Sequence, residues 1–590
     1  MAMTVGSRRP WARRSLLALS IAAIAMGTAS CSSKKEPAFD LLVAGGTIYD
    51  GSGGEPFVGD VGVKGDRIVY VGPKAEGGAK QTIQAQGKAV SPGFINAMSH
   101  ATYSLLTDRS AESDLRQGVT LEVMGEGGSP GPLTEEMAAK QQEDDEEGKP
   151  PFQWRTFGQY MEGVEKLGVS VNFAGWVGAT TVRQHVLGVE NVKPTPEQLQ
   201  QMGQLVRGAM EEGALGLSTA LIYLPGLFAN VDELSALAAE SGKCGGMYVS
   251  HMRSEGDHFI EALDELIEIA RRSQAPAEVF HIKVGDPKNW PKMAVALEKI
   301  REARKQGVRI TADMYTYPAS GTGMTASMPP WVQEGGPEKF RARLKDPKIR
   351  ARVIAEMREP VTDWENVMRG AGGPKGVMLA SFKNDKLKPL IGKTLAEVAE
   401  MRGVSAEEAA LQLIEEDETR VGVFYFTMSE DNLKVQIQEP YVSFGSDAPA
   451  LTAAGETLKT GTHPRAYGTF ARVFAKFVRE DKLLTVQEAV RRLTSLPAAN
   501  YSLTDRGSLK AGYFADIVVF DPATIQDHAT YVDPHRYSTG VSDVVVNGVA
   551  ALANGEPTEA RPGRYIRGRA WKGQEGGGCK ASASEWSWIG

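Results

Sequence analysis

Short apolar runs alternate with amphipathic helical patterns along most of this 590-residue chain. The alternation predicts an α/β fold: a (β/α)8 barrel of the TIM type, with a small β-sandwich formed by both chain ends and a lid insertion before strand eight. Three observations lead to this prediction. The strand-like runs have the spacing of β-helix-β units, several of them end in a histidine or an acid, and short strands with glycine turns occur at both ends of the chain.

The stretch from residue 247 to 317 shows the pattern most clearly. It contains three β-branched or aromatic runs of strand length, separated by two segments with apolar residues at helical spacing. The runs, each with the polar residue at its end, are 247–249 with His251, 279–282 with His281, and 308–312 with Asp313.

His251 and His281 are separated by about the length of one β-helix-β unit. Successive parallel strands would therefore place both imidazoles at the carboxyl edge of the sheet, where barrels of this type carry their active sites. Two imidazoles on neighbouring strands form half of a metal site. The alternative, two unrelated structural histidines, stays open at this point.

Five further runs complete the predicted barrel, which spans residues 93–504. Residues 325–439 are too many for one crossover and are expected to fold over the barrel mouth as an insertion. The five runs, with the polar residues that each presents, are 94–95 with His100, 118–133 with Glu122 and Glu126, 169–178, 213–226 with Tyr223, and 441–451 with Asp447.

The two chain ends are expected to pair with each other. Residues 39–92 and 505–567 both contain short strands with tight turns, which predicts one β-sandwich domain made from distant parts of the sequence. Residues 568–590 form a Gly/Ser/Trp tail that we expect to be disordered. Cys244 and Cys579 do not amount to a disulfide framework, although an oxidising compartment would permit a bond.

The first thirty residues predict export from a bacterial cytoplasm. They have an arginine-rich start, an apolar run and small residues before Cys31, a pattern that resembles a signal peptide with a lipoprotein cleavage site. Residues 31–38 would then be a tether and Cys31 the lipidated residue. The protein is expected in the periplasm or on the membrane as a lipoprotein, with that lipid as its one link to the membrane.

Composition excludes one class of partner. The net charge of −7 includes four arginines within the first thirty residues, so the rest of the chain is still more acidic. No basic stripe is visible, and the sequence therefore predicts no binding to nucleic acid.

Several motifs together resemble one enzyme family. They are GTIYDGSG, SPGFIN, GALGLSTALIYLPG, SHMRSEG, HIK, DMYTYPASGTGM, GSDAPA with HPRAYGTFARV, and LKAGYFADIVVFDP. Over residues 39–557 the chain resembles the N-acyl-D-amino-acid deacylases, or D-aminoacylases, of the amidohydrolase superfamily. The resemblance implies a zinc-dependent barrel that hydrolyses the amide of a small N-acyl amino acid or a dipeptide-like substrate.

The resemblance also assigns roles to residues. It implies that His251 and His281 bind the metal, that Asp447 is the general base and then the acid, and that Arg465 holds the substrate carboxylate. It also places Tyr223 and Tyr315 near the substrate. Two further candidates have open roles: Lys283 is either a pocket cation or a solvated charge, and His463, two residues before Arg465, is either part of the pocket or structural.

The chain departs from the family at its metal ligands. The usual His-x-His after the first strand reads Met98-Ser99-His100, with Asn96 in place of an aspartate before it. Gly127 stands where the family has a cysteine, and Ala179 stands where the third-strand loop usually carries a histidine. Glu126 is next to Gly127 and is a candidate replacement for the cysteine. We therefore expect about one zinc per chain, held by His251, His281 and Glu126 with His100 nearby.

Three functions remain open from the sequence. The first is the deacylase. The second is hydrolysis of a cyclic amide or imide, which would not need Arg465 because a ring has no free carboxylate. The third is an exported binding protein that lost its metal, suggested by the absent family ligands at Met98 and Gly127.

Overall fold

The computed structural model describes residues 37–143, 152–360 and 364–579. The strands are β1 Phe39–Ile48, β2 Phe57–Lys64, β3 Arg67–Gly72, β4 Ala79–Gln84, β5 Ala89–Pro92, β6 Phe94–Ser99, β7 Val119–Met124, β8 Asn172–Gly175, β9 Val177–Gly178, β10 Gly216–Ala220, β11 Met247–His251, β12 Ala277–Val279, β13 Ile310–Met314, β14 Ser320–Gly323, β15 Val377–Ser381, β16 Gly422–Tyr425, β17 Val442–Phe444, β18 Ile517–Phe520, β19 Val541–Val546, β20 Val549–Ala553 and β21 Glu556–Pro557.

The α-helices are α1 Ala101–Thr107, α2 Glu112–Leu115, α3 Glu135–Glu143, α4 Phe157–Leu167, α5 Ala179–Leu187, α6 Pro196–Glu211, α7 Val231–Lys243, α8 Phe259–Ser273, α9 Lys292–Lys305, α10 Pro330–Gln333, α11 Pro337–Leu344, α12 Pro347–Arg358, α13 Val367–Gly370, α14 Leu395–Arg402, α15 Ala406–Asp417, α16 Glu430–Gln436, α17 Arg465–Arg472, α18 Val486–Leu493 and α19 Ser495–Asn500. None of these helices combines the length and the apolar character that a membrane span requires.

Two parallel sheets form the centre of the molecule. One has the order β6-β7-β8 and the other the order β17-β13-β12-β11-β10-β9. Their strands are buried on both faces, as expected for parallel strands covered by helices. Backbone hydrogen bonds connect the two sheets at both of their edges. Near β8 and β10, Leu215 N–H donates to Gly175 O, and near β6 and β17, Asp447 N–H donates to Met98 O. The protein is therefore a mixed α/β molecule in which consecutive parallel strands bring their carboxyl ends together.

Strands from both ends of the chain pair in a third sheet. Its order is β21-β20-β19-β18-β5-β1-β2-β3, with β4 also paired to β1. The antiparallel pair β5 and β18 joins the two ends, with Val90 opposite Val519. Residues from both ends share one apolar core, including Val61 and Ile517.

An insertion precedes β17 and has its own core. It comprises residues 320–425, with a three-stranded antiparallel sheet of order β14-β16-β15 and the helices α10 to α15. Apolar residues such as Val332, Leu379 and Leu411 are buried in it. Helix α16 follows the insertion and packs near α9.

The C-terminal segment is ordered further than the sequence suggested. The expected disordered tail began at residue 568, but residues 568–579 pack against the central part of the molecule. Gly568 N–H donates to Gly213 O, Lys572 N–H donates to Glu211 O, and Cys579 forms a disulfide with Cys244. The tail prediction was therefore wrong for these residues, because backbone hydrogen bonds and a covalent link hold a glycine-rich stretch in place. Residues 580–590 and the N-terminal residues 1–36, which include Cys31, lie outside the described parts.

Candidate metal centre

A cavity of about 1790 Å³ lies between the carboxyl ends of the parallel strands and the insertion. Seven of the residues singled out from the sequence line it. They are His100, Glu126, Tyr223, His251, His281, Lys283 and Asp447. The residues come from strands or loops that are far apart in the chain, so the parallel packing of the strands is what collects them.

Three side chains offer metal ligands at its base. Glu126 Oε1 lies 2.7 Å from His251 Nδ1 and 2.9 Å from His281 Nε2. The three ligand atoms lie within 4.8 Å of one another. Two imidazoles and one carboxylate are a donor set that zinc accepts in catalytic sites, and His251 and His281 are both buried.

A second group shares Glu126 with the first. His100 Nε2 lies 2.8 Å from Asp447 Oδ1 and 3.6 Å from Glu126 Oε2. These three residues also form a set whose ligand atoms lie within 4.8 Å of one another. The carboxylate of Glu126 therefore belongs to both groups and links Asp447 and His100 to the histidine pair.

Backbone conformation turns two of these side chains toward the cavity. His281 has φ +34° and Asp447 has φ +50°, both in the left-handed region that non-glycine residues rarely occupy. Strand β12 ends at Val279, so His281 lies just beyond it. Unusual φ values of this kind concentrate at functional sites because the surrounding structure has to maintain them.

The position of the missing cysteine is closed to any side chain. Gly127 has φ +65°, and a Cβ there would lie 2.6 Å from Ala220 N. A cysteine at this position would require the backbone of β10 to move. Glu126, at the preceding position, reaches the histidines instead. A glycine at position 127 is therefore compatible with a carboxylate ligand at position 126.

The carboxylates of the site favour their ionised forms. Burial alone would raise the pKa of Glu126, but His251 and His281 outweigh it and hold that pKa well below its usual value. Burial also opposes ionisation of Asp447, and there Arg465, His281 and His100 lower the pKa below the ordinary aspartate value. Both carboxylates are therefore available as a ligand or a base.

Glu255 belongs to the site, although the sequence did not single it out. Its Oε1 lies 2.6 Å from Lys283 Nζ, 3.3 Å from His281 Nδ1 and 3.5 Å from His251 Nε2. Each of these histidine nitrogens is the one that faces away from Glu126. A carboxylate behind a ligating histidine holds the orientation of its ring. The four-residue spacing from His251 in SHMRSEG was the available signal in the sequence.

Lys283 and the two tyrosines surround the histidines. Lys283 Nζ lies 2.7 Å from His281 Nδ1 and is buried. Tyr223 places its ring 5.4 Å from that of His251 and lines the cavity. Tyr315 is buried between two cations, with Lys283 Nζ 5.7 Å and Arg465 Cζ 4.6 Å from its ring centre.

Arg465 lies next to Asp447, and His463 supports it. Arg465 Nη1 is 2.6 Å from Asp447 Oδ2, yet within the described chain its Nε and Nη1 have no partner with hydrogen-bond geometry. His463 accepts a hydrogen bond from Arg465 N–H and donates to Ala319 O. Burial, followed by Arg465, lowers the pKa of His463 well below its usual value, so this ring is neutral and its observed contacts are structural.

The remaining departures from the family pattern are buried. Met98 is 1% exposed and Ala179 is 6% exposed. Asn96 donates to Glu122 Oε2 at 2.8 Å and accepts from Ser446 N–H at 2.8 Å. An aspartate at position 96 would add a third acid to the buried pair Glu122 and Asp114, so the amide is the side chain that this packing accepts.

Known proteins resemble this chain over most of its length. Residues 81–551 match the model of the amidohydrolase family. The N-acyl-D-glutamate deacylase of Alcaligenes xylosoxydans xylosoxydans is 32% identical over 531 residues, which cover 90% of this chain and 96% of that one.

Two solved structures have the same fold. The N-acyl-D-glutamate deacylase of Bordetella bronchiseptica, in complex with zinc and a phosphonate inhibitor that mimics the tetrahedral intermediate, superposes with a TM-score of 0.74 at 30% identity and covers 90% of this chain and 99% of its own. D-aminoacylase, described with a binuclear metal centre that one metal activates and a second attenuates, gives 0.74 at 30% identity, with 90% and 100% covered.

Proposed function

This chain belongs to the amidohydrolase family, and from that premise we propose that it hydrolyses N-acyl-D-amino acids to the D-amino acid and a carboxylate. The observation that carries the proposal is the cluster of Glu126, His251 and His281 beside Asp447 at the base of the cavity. This cluster has a metal donor set and an ionised base within one site. Two of the named relatives are N-acyl-D-glutamate deacylases and the third is a D-aminoacylase, which supports N-acyl-D-amino acids as the class of substrate.

We infer a closed barrel as the frame of this site. Eight parallel strand positions would follow one another around it, with β8 and β9 sharing one position: β6, β7, β8/β9, β10, β11, β12, β13 and β17. The hydrogen bond from Asp447 N–H to Met98 O, between the two sheets, supports closure of the barrel. Residues 93–504 would be the barrel, the insertion its lid, and residues 39–92 with 505–567 a β-sandwich domain.

The donor residues fit one zinc ion. Glu126, His251 and His281 would hold it, and the apolar Met98 in place of a second histidine supports about one ion per chain, because a thioether is a poor zinc ligand. When bound, a divalent metal of this kind polarises the substrate carbonyl and lowers the pKa of an attacking water.

The residues of the chain carry the proton and hold the substrate. Asp447 is ionised and placed to take a proton from water as the water oxygen attacks the acyl carbon. It then delivers that proton to the amine nitrogen as the carbon–nitrogen bond breaks. Arg465, whose guanidinium is paired with Asp447, binds the α-carboxylate of the substrate. Lys283 and Glu255 keep the histidine rings in place.

The proposed place of action is outside the cytoplasm. The signal-like N-terminus and the Cys31 position suggest an exported protein, anchored by a lipid or released into the periplasm. The bond between Cys244 and Cys579 supports this, because disulfides persist in oxidising compartments and are rare in the cytosol.

The test combines metal content with a panel of acetylated D- and L-amino acids. We expect about one zinc per chain and hydrolysis of the D series. His281→Ala should lose both metal and activity, because it removes a donor atom. Asp447→Asn should keep the metal and lose activity by roughly 10²- to 10⁴-fold, the usual contribution of a general base.

The control variant is His528→Ala, a histidine on an exposed loop that contacts Thr539. It should behave like the wild type in both measurements. Purified protein without stoichiometric metal that still binds N-acetyl-D-amino acids would instead identify a binding protein. Undiminished activity of Arg465→Ala on a cyclic imide would favour the cyclic amide hydrolase.

A further inference from the structure

Arg420 carries an unpaired charge on the wall of the catalytic cavity. It lies at the turn between α15 and β16 and is exposed where it lines the cavity. Its Nη2 donates to Thr322 Oγ1 at 3.0 Å, and its Cζ lies 5.2 Å from the ring centre of Tyr223. Among the residues that the structure describes, no carboxylate forms an ion pair with it.

Neighbouring hydroxyl groups extend this polar patch. Tyr223 OH and Thr322 Oγ1 are 2.8 Å apart and share a hydrogen bond. The guanidinium and the two hydroxyls therefore form one continuous hydrogen-bonded group, which we call the Arg420 patch. A guanidinium held by neutral groups alone keeps its charge free for an anion, and it binds carboxylates through two parallel hydrogen bonds.

The Arg420 patch lies one aromatic ring from the metal ligands. The ring of Tyr223 is 5.4 Å from that of His251, and Arg420 lies on Tyr223. Arg465 is related to His281 in the same way through Tyr315, whose ring is 6.4 Å from that of His281. Each of the two guanidiniums therefore packs on a tyrosine ring that in turn lies next to one histidine of the pair.

Both guanidiniums lie beside strand β14. A Cβ on Gly321 would lie 3.6 Å from Arg465 Nη2, and a Cβ on Gly323 would lie 2.6 Å from Arg420 Nε. These two positions are two strand residues apart, which corresponds to roughly 6.6 Å. A small dicarboxylic molecule separates its two acids on this scale. Glycine at 323 is also what allows the Arg420 side chain to lie there.

We propose that Arg420, Thr322 and Tyr223 form a subsite for a second carboxylate of the substrate. The proposal rests on the function proposed above, in which Arg465 binds the first carboxylate. The second carboxylate has two chemical sources: an acidic side chain of the amino acid, or an acid at the far end of the acyl group. The cavity of about 1790 Å³ has room for either, since typical ligand pockets are roughly 300–1,000 Å³.

Two matched substrate pairs separate these sources. N-acetyl-D-glutamate and N-acetyl-D-glutamine differ in the charge of the side chain. N-succinyl-D-alanine and N-succinamoyl-D-alanine differ in the charge of the acyl group. For each pair the measured quantity is the ratio of kcat/KM for the acid to kcat/KM for the amide, which cancels effects common to both substrates.

Arg420→Gln should lower this ratio about tenfold for one pair, as expected for loss of a hydrogen-bonded charge at an exposed site. The pair that responds identifies the source of the second carboxylate. Arg420→Lys should lose part of the preference for the acid over the amide. Lysine keeps the positive charge but cannot form the two parallel hydrogen bonds of a guanidinium. Gly323→Ala should act in the same direction by displacing the guanidinium.

Arg341→Gln is the matched control. Arg341 lines the same cavity, and its Nη1 donates to the backbone oxygen of Glu418 at 3.0 Å. If Arg341→Gln lowers the ratio as much as Arg420→Gln, the preference comes from the general charge of the cavity and the subsite is refuted. Equal losses on acid and amide in Arg420→Gln would show that Arg420 only supports the insertion, which also refutes it.

Failure of the proposed function gives a different result. If no N-acyl-D-amino acid is hydrolysed, the deacylase proposal fails. The subsite is then tested by calorimetric binding of N-acetyl-D-glutamate and N-acetyl-D-glutamine to the zinc-loaded chain. A preference for the acid that disappears in Arg420→Gln supports the subsite, and the absence of such a preference overturns it.

Discussion

At the scale of single residues, the buried acids behind the metal centre are the most unusual feature. Glu122 and Asp114 are both about 1% exposed or less, and Asn96 is hydrogen-bonded to both. Burial raises the pKa of Glu122 to about 7, and burial together with Glu122 raises the pKa of Asp114 well above its usual value. The folded protein therefore holds protons that the unfolded chain releases at lower pH.

Replacement of Glu122 should change the pH dependence of stability. Because its pKa rises on folding, its stabilising effect is present at low pH and is lost as the pH rises from about 4.5 to about 7. Glu122→Gln stays neutral, so the variant should gain stability relative to the wild type across this window, by up to roughly 3 kcal/mol. Denaturant unfolding at several pH values measures the difference.

Glu136→Gln is the control for this prediction, since Glu136 is exposed on α3. This variant removes one carboxylate at an exposed position, so it measures how far a change in net charge by itself alters stability. A pH-independent difference for Glu122→Gln would show that this acid is ionised in the folded protein.

At the scale of elements, the insertion contacts the loop that follows β11. Glu365 Oε2 accepts a hydrogen bond from Ser254 Oγ at 2.9 Å and another from Glu255 N–H at 3.0 Å. Glu255 in turn contacts Lys283 and both metal-binding candidates. A single acid of the insertion therefore holds the loop that orients the histidines.

Loss of this contact should loosen the loop. Glu365→Ala removes the acceptor, so the amides of residues 252–257 should exchange hydrogen faster, and kcat/KM should fall by about tenfold, the equivalent of one charged hydrogen bond. Hydrogen exchange followed by mass spectrometry provides a readout that is independent of turnover. Glu365→Gln retains an acceptor oxygen and should have a smaller effect.

A second acid of the insertion serves as the control. Glu338 lines the same cavity and is exposed, so Glu338→Ala should leave the exchange of residues 252–257 unchanged. Unchanged exchange in Glu365→Ala would mean that the loop holds its own conformation without the insertion.

At the scale of the whole molecule, the chain end is fastened to the central sheets. Ile566 N–H donates to Phe173 O, and the Tyr565 ring stacks on that of Phe173 at 5.9 Å. Beyond this, Cys579 closes a loop to Cys244, 335 residues earlier. A cross-link of this length restricts the unfolded chain strongly, which in the chain-entropy account stabilises the folded state.

Cys579→Ser should lower the free energy of unfolding by about 2–5 kcal/mol, the usual loss when a native disulfide is removed. Denaturant unfolding in oxidising buffer measures the loss. In a strong thiol reductant the wild type and the variant should have the same stability, because neither then has the bond. A difference that persists under reduction, or no difference in either buffer, contradicts a stabilising role for the disulfide.

The sequence by itself determined the alternation of strands and helices, the polar residues at the strand ends and the strands at both termini. These features are local periodicities, so each segment shows them without its neighbours. His251 and His281 could be paired from their spacing alone, because consecutive parallel strands have a fixed order.

The tertiary structure decided which residues from distant parts of the chain contact one another, and no local sequence pattern contains that information. The sequence offered Glu126 as a candidate ligand, and only the packing shows that its carboxylate lies 2.7 Å from His251 Nδ1 and 2.9 Å from His281 Nε2. Glu255, Glu365 and the unpaired Arg420 acquire their roles from contacts between an insertion and loops distant in the chain. The disulfide depends on two cysteines whose proximity only the complete packing creates. Local sequence determines which structure a segment forms, whereas the distances between segments follow from how all of them pack together.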